Sequence, residues 1–185
     1  APYMAWSGTY SSASIMVADF NGDGTIDFLY RSATDVYAYD HDGTLLWTDA
    51  VSIPDKCEGT TMAAGDIDGD GDVEVLVLND DSQILFYEGD GDGTAYDVLD
   101  VSVGSYQRAG YIVIVNLRGA GDRNIIVQTM DEVLEENGRE YYINRTLIAY
   151  RMDTQAQLWR VEQNRLYDPP DVPYEGYWGP VHGPM

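Results

Sequence analysis

Two nine-residue stretches, Asp19–Asp27 (DFNGDGTID) and Asp66–Glu74 (DIDGDGDVE), place side-chain oxygens at positions 1, 3, 5 and 9 around a glycine at position 6. A hard divalent cation the size of calcium takes about six to eight oxygen ligands. One tight turn supplies them when alternate side chains point inward and the chain bends at a residue without Cβ. The first loop offers Asp19, Asn21, Asp23 and Asp27, with the Thr25 carbonyl at position 7 and Gly24 at the bend. The second offers Asp66, Asp68, Asp70 and Glu74, with the Asp72 carbonyl and Gly71. The spacing therefore predicts two calcium sites.

An EF-hand needs a carboxylate at position 12 and a helix on each side. Position 12 is Tyr30 in the first loop and Val77 in the second. The flanks, IMVAD and DFLYR, then MAAGD and EVLVLN, are short runs rich in branched and aromatic residues, so the loops join strands. A dockerin fails on the same ground, since it needs helices too.

The elements that carry the loops recur. Asp66 lies 47 residues after Asp19, and a degenerate relative, Asn116–Asn124 (NLRGAGDRN), starts 50 residues after that. Periods of this length belong to propeller blades or other stacked units, each too small to bury its apolar face alone. After each loop comes an apolar strand (Phe28–Tyr30, Val75–Leu78, Ile125–Val127), then a second ending in an aromatic residue (Val36–Tyr39, Ile84–Tyr87, Leu147–Tyr150). A turn and a last strand follow, closed by Trp47 in the first unit and Trp159 in the third. The expected fold is all-β, with blades of four antiparallel strands.

The segments ADFNGDGTIDFL and AGDIDGDGDVEVLVL resemble the FG-GAP/VCBS family of calcium-loop β-propeller repeats, over roughly residues 13–165. The third unit departs from that pattern, with Arg118 and Ala120 at positions 3 and 5, so the resemblance implies a similar turn without a metal there. The segment GYIVIVNLRGAGDRNIIVQ also looks loosely like the propellers of secreted rhamnogalacturonan-type polysaccharide lyases. Residues 1–14 read as a lead-in or closing strand, residues 15–165 as three repeats (about 15–60, 61–110 and 111–165), and residues 166–185 as a Pro- and aromatic-rich tail or the start of a further blade.

Closed propellers have about four to eight blades, so three repeats leave open edges. Either the chain is part of a longer propeller, or other copies or another chain complete it. The net charge of −22, from 32 acidic and 10 basic residues, disfavours nucleic acid and anionic membranes as partners. No run of 18 apolar residues suits a transmembrane helix. The expected location is extracellular or at the cell surface. Cys57 is the single cysteine and forms no internal disulfide. Asn144-Arg145-Thr146 fits an N-glycosylation acceptor.

A third acidic run, Glu88–Asp97 (EGDGDGTAYD), aligns with the Asp40–Gly43 hairpin turn. Glu88, Asp90 and Asp92 offer a weak third calcium site, but Tyr96 at position 9 and the Asp–Gly content favour a turn. The insertion Met130–Arg145 reads as a β-hairpin turning at Asn137-Gly138, with Tyr141-Tyr142 available to a neighbour or a glycan.

Candidate bases are few: Lys56, His41 and His182. His41 falls in a predicted turn, where a solvated role is expected; His182 sits in the tail beside Trp178. No Ser/His/Asp order, phosphate-cradling glycine loop or zinc spacing occurs. Two readings follow. One is a calcium-stabilised extracellular propeller module with a structural, assembly or adhesion role. The other is part of a secreted polysaccharide lyase, whose chemistry needs a base beside a cation-neutralised uronate.

Overall fold

A computed structural model describes residues 15–32, 34–51, 62–79, 81–101, 108–117, 119, 123–136 and 139–163, with the backbone alone for 108–110, 130–136, 139–145 and 163. The lead-in, Lys56, Cys57, Arg118, Ala120, Asn137-Gly138 and the tail with His182 lie outside the described residues.

Short alternating runs cut by Asp/Gly turns give strands and no helix among the described residues. Three sheets result, each an antiparallel meander in chain order. The first comprises β1 (Ile15–Ala18), β2 (Asp27–Arg31), β3 (Asp35–Tyr39) and β4 (Leu45–Ala50). The second comprises β5 (Met62–Gly65), β6 (Glu74–Leu78), β7 (Gln83–Glu88) and β8 (Asp97–Asp100). The third comprises β9 (Arg108–Val115), β10 (Asn124–Glu136), β11 (Arg139–Arg151) and β12 (Gln157–Gln163). The opening strands β1, β5 and β9 lie in succession against one another, β1 on β5 and β5 on β9. That is the arrangement of propeller blades, whose first strands line the middle.

Register shows how closely the units repeat. Phe28 pairs with Tyr39, Val75 with Tyr87, and Ile125 with Tyr150. Ala38 pairs with Trp47 and Ala149 with Trp159, each next to a register shift that falls between the alanine and the following tyrosine.

Packing follows from the two-residue period of a strand. Every residue of β6 is buried, because its sheet is covered on both faces. Val75 and Val77 face the first sheet and join Leu29, Val36, Ala38, Trp47, Met62 and Tyr87 in one core. Leu76 and Leu78 face the third sheet, in a second core with Ile84, Phe86, Ile112, Ile125, Val127 and Ile148. Each such side chain contributes about 1.5–3 kcal/mol on burial. By contrast β2 buries alternate residues only, Leu29 inward, with Phe28 and Tyr30 half-buried on the far face.

The insertion in the third unit is continuous with its sheet. β10 and β11 run 13 residues each and pair from Asn124↔Arg151 out to Glu136↔Arg139, as a two-stranded extension. Asn144 of the glycosylation pattern falls within β11, and Thr146 is fully buried.

Candidate metal centre

Both acidic loops sit at the junction of the first and second strands of their sheets. In the first, Asp19 Oδ2 accepts the Gly24 N–H at 2.9 Å, Asn21 Oδ1 that of Asp23 at 3.0 Å, and Asp23 Oδ1 that of Thr25 at 2.8 Å. In the second, Asp66 Oδ1 accepts from Gly69 at 2.7 Å, Asp68 from Asp70 at 3.0 Å, and Asp70 from Asp72 at 2.9 Å. Gly24 and Gly71, at the bends, have φ of +87° and +105°, a region that L-residues with a Cβ seldom adopt. These side-chain-to-amide bonds hold successive carboxylates on the concave side of each turn.

Position 9 anchors each loop from the sheet. Asp27 and Glu74 open β2 and β6 and are fully buried. Asp27 accepts from Phe20 N at 3.0 Å and from His41 N at 3.2 Å, which occupies both oxygens. Glu74 Oε2 accepts from Ile67 N at 2.5 Å, while Oε1 is buried without a hydrogen-bond partner. Burial, opposed by the Ile67 bond and reinforced by the charges of Asp68, Glu88 and Asp70, pushes the Glu74 carboxyl up to about 7. Asp19 Oδ1 is likewise buried and unpartnered. An anionic oxygen out of water with no donor is costly, and a divalent cation is the partner that meets the cost for a whole ring of them.

Among the described residues, two sets of three metal-type ligands have their atoms within 4.8 Å of one another. One is Asp66, Asp68 and Asp70; the other is Asp23, Asp40 and His41. The second loop thus brings three of its expected ligands together directly. In the first, Asp23 converges instead with Asp40 and His41 of the β3–β4 connection, while Asp19 and Asp27 accept backbone amides. Asp40 and Glu88 follow the pairing tyrosines Tyr39 and Tyr87, so they occupy the same place in the repeat. Glu88 is held above its ordinary range by burial and by Asp68 and Asp70, which sets it against the second loop. The acidic run at Glu88, Asp90 and Asp92 is the β7–β8 connection: Asp92 accepts from Thr94 N at 2.9 Å, and Gly93 turns the chain at φ +82°. Glu88 lies opposite Glu74 in the β6–β7 register, and the three do not form a convergent set of their own.

Four side chains beside the loops are therefore supplied from outside the two nine-residue stretches. Asp40 and Glu88 come from hairpin turns, and the shared D-x-D-G and E-G-D-G chemistry after the aromatic residue is the sequence signal for both. His41 is a turn residue, half-exposed, yet its Nδ1 contacts Asp40 and lies 3.1 Å from Thr25 Oγ1. The Asp40 bond raises its pKa. Arg123, at position 8 of the degenerate loop, reaches across sheets to Asp66 Oδ2 at 2.8 Å. In that third loop Asn116 accepts from Gly119 N at 2.7 Å, the same turn that Asp66 makes with Gly69. Between the two acidic loops lies a cleft of about 140 Å³, lined by Asp19, Asn21, Asp72 and Asp90 among others.

The donor set is carboxylates and carbonyls at strand junctions, which suits calcium over softer metals. Fold and site define an all-β protein of propeller-type blades carrying acidic loops with clustered carboxylates. Residues 19–77 match the FG-GAP-like repeat family, a stretch that spans both loops and β2 to nearly the end of β6. Among curated proteins none matches the sequence. A solved structure similar to this chain is the biofilm matrix protein Bap1 of V. cholerae, at 22% identity, 63% of this chain, 18% of that one and a TM-score of 0.42. The chain thus spans less than a fifth of that protein's length.

Proposed function

We propose that the chain is a calcium-stabilised extracellular β-propeller module with a structural, assembly or adhesion role. The observation that carries this reading is Glu74: a fully buried carboxylate with one oxygen unpartnered, at the end of a loop whose Asp66, Asp68 and Asp70 converge within 4.8 Å. The expected ligands are Asp19, Asn21, Asp23, Thr25 and Asp27 in one loop and Asp66, Asp68, Asp70, Asp72 and Glu74 in the other. Calcium in each loop ties the first two strands of a blade together at one end and makes the blade rigid. A net charge of −22 keeps the molecule off nucleic acid and anionic lipid, and leaves other copies, another chain or glycans as the partner classes. The matched repeat and the acidic surface favour an extracellular setting, where millimolar calcium fills weak sites.

Calorimetric titration with calcium, together with melting curves in calcium and in chelator, tests this. Two bound ions per chain and a higher melting temperature with calcium are expected. No calcium binding at millimolar concentration would overturn the reading.

A further inference from the structure

The two acidic loops do not meet the unit that follows them in the same way. Position 8 is Val73 in the second loop and Arg123 in the degenerate third, and the backbone fixes both alike. The Val73 carbonyl accepts from Gly89 N at 2.9 Å and the Arg123 carbonyl from Met152 N at 3.1 Å. Each of these amides lies two residues after the tyrosine paired with the second strand of its sheet, Tyr87 in one unit and Tyr150 in the other. Position 8 therefore stands at the same place in each unit, beside the loop of the unit before it. Val73 lines the cleft with Asp19, Asn21 and Gly22 of the first loop, and Arg123 reaches Asp66 of the second.

What the two residues bring there differs. Arg123 Nη2 donates to Asp66 Oδ2 at 2.8 Å, and the guanidinium covers Gly69 so closely that a Cβ on that glycine would collide with Nη1. Asp66 Oδ1 accepts from Gly69 N at 2.7 Å, so one oxygen is engaged by its own loop and the other by the next unit. The paired side chains are 31% and 28% exposed, sheltered enough for their charges to act on the loop. In the first loop Gly22 holds the place of Gly69, and a Cβ there would meet nothing within 4 Å among the described residues. Asp19 Oδ2 accepts from Gly24 N at 2.9 Å, while Oδ1 is buried with no hydrogen-bond partner among those residues. Valine at position 8 has no charge to offer it.

The ligand sets also differ in charge. Positions 1, 3, 5 and 9 carry three carboxylates in the first loop (Asp19, Asp23 and Asp27) and four in the second (Asp66, Asp68, Asp70 and Glu74). A guanidinium keeps its proton across the working pH range, so Arg123 on Asp66 offsets the fourth carboxylate. A divalent cation held by the same carboxylate repels it.

We propose that Arg123 is a tethered counter-cation of the second loop, which holds Asp66 when calcium is absent, lowers the affinity of that loop for calcium, and ties the third unit to the second by a bond that calcium weakens. This rests on the calcium reading above. Ion and guanidinium draw on one carboxylate, so the effect is reciprocal: calcium loosens the inter-unit bond by as much as the bond opposes calcium. The first loop, facing Val73, has no such brake from position 8 of the next unit.

Calorimetric titration with calcium chloride tests this, using Asp23→Ala to leave the second loop and Asp70→Ala to leave the first. In the Asp23→Ala chain, Arg123→Met should tighten calcium binding about tenfold at low salt, the order of the repulsion between a divalent and a unit charge a few ångströms apart in water. The gain should shrink as sodium chloride is added. Arg123→Lys keeps the charge and should leave the affinity near that of the parent. In the Asp70→Ala chain, Arg123→Met should change nothing, whereas Val73→Arg should weaken binding by setting a guanidinium beside Asp19. Melting curves read the inter-unit half: Arg123→Met should lower the melting temperature more in chelator than in calcium. Equal or weaker calcium binding in a cooperatively melting Arg123→Met chain would overturn the proposal, as would the same gain in Arg123→Lys. If Arg123→Met does not fold, Val73→Arg decides, and an unchanged or higher affinity at the first loop overturns it. Absence of calcium binding in the parent chain would overturn the functional reading and this proposal with it.

Discussion

At the scale of single residues, the acidic loops are built from carboxylates already engaged by backbone amides, which fixes their direction before any ion arrives. Asp23→Ala and Asp70→Ala are each expected to remove one calcium and to lower the melting temperature in calcium while leaving it nearly unchanged in chelator. At a calcium concentration of about 100 times Kd the lost stabilisation is about 2.7 kcal/mol per site. Unchanged stoichiometry in both variants, read by calorimetry, would refute the ligand assignment. Glu74 gives a pH signature. Its folded pKa of about 7 lies above its ordinary 4.5, so folding takes up a proton between those values. Metal-free stability should therefore be highest below about pH 4.5 with respect to this group and fall as pH rises to about 7. Calcium affinity should rise over the same window, because the ion displaces that proton. Urea unfolding in chelator at several pH values checks the slope, and Glu74→Gln should remove most of it.

Elements differ in how much they tolerate, and glycines show why. Gly22 has φ +72° with open space around it, so Gly22→Ala should cost about 1 kcal/mol for the backbone alone. Gly89 has an ordinary φ, but a Cβ there would lie 2.4 Å from the Val73 carbonyl oxygen of its own unit and 2.6 Å from the Phe20 carbonyl oxygen of the first loop. Gly89→Ala must displace backbone both within its own unit and in the first loop, and should cost more, about 1–3 kcal/mol. Trp47→Ala should be costlier still, about 3–5 kcal/mol, since it removes the ring that stacks on Tyr87 between the first two sheets. Denaturant melts of the three variants should rank in that order; an equal loss for Gly22→Ala and Gly89→Ala would mean that the close backbone approaches at Gly89 are not maintained in solution.

For the whole molecule, charge and sheet stacking act against each other. Among the described residues the two cores lie between neighbouring sheets, while 32 acidic against 10 basic residues repel across the surface. Two calcium ions would offset four of the 22 net negative charges. Stability in chelator should therefore rise with monovalent salt, which screens the remainder over a Debye length of about 10 Å at 0.1 M. A melting temperature independent of sodium chloride between low and physiological salt would show that the repulsion is not a factor.

What the sequence determined was local. Nine-residue spacing defined both loops because alternate residues of a turn point one way, and the run of branched and aromatic residues on each side defined strands because their period is two. The fold class and the repeat follow from those two periodicities, and Asp66, Asp68 and Asp70 converge as the spacing required. Tertiary structure decided the rest. Arg123 meets Asp66 across 57 residues, and Asp40 and Glu88 reach the loops only because a hairpin folds them back. The fate of each strand's second face was also undecided by its own residues. EVLVL is buried on both sides and DFLYR on one; both carry successive apolar residues, four and three, and among the described residues only the first has a sheet on each face. Burial is a property of neighbours, and the sequence of one strand does not contain them.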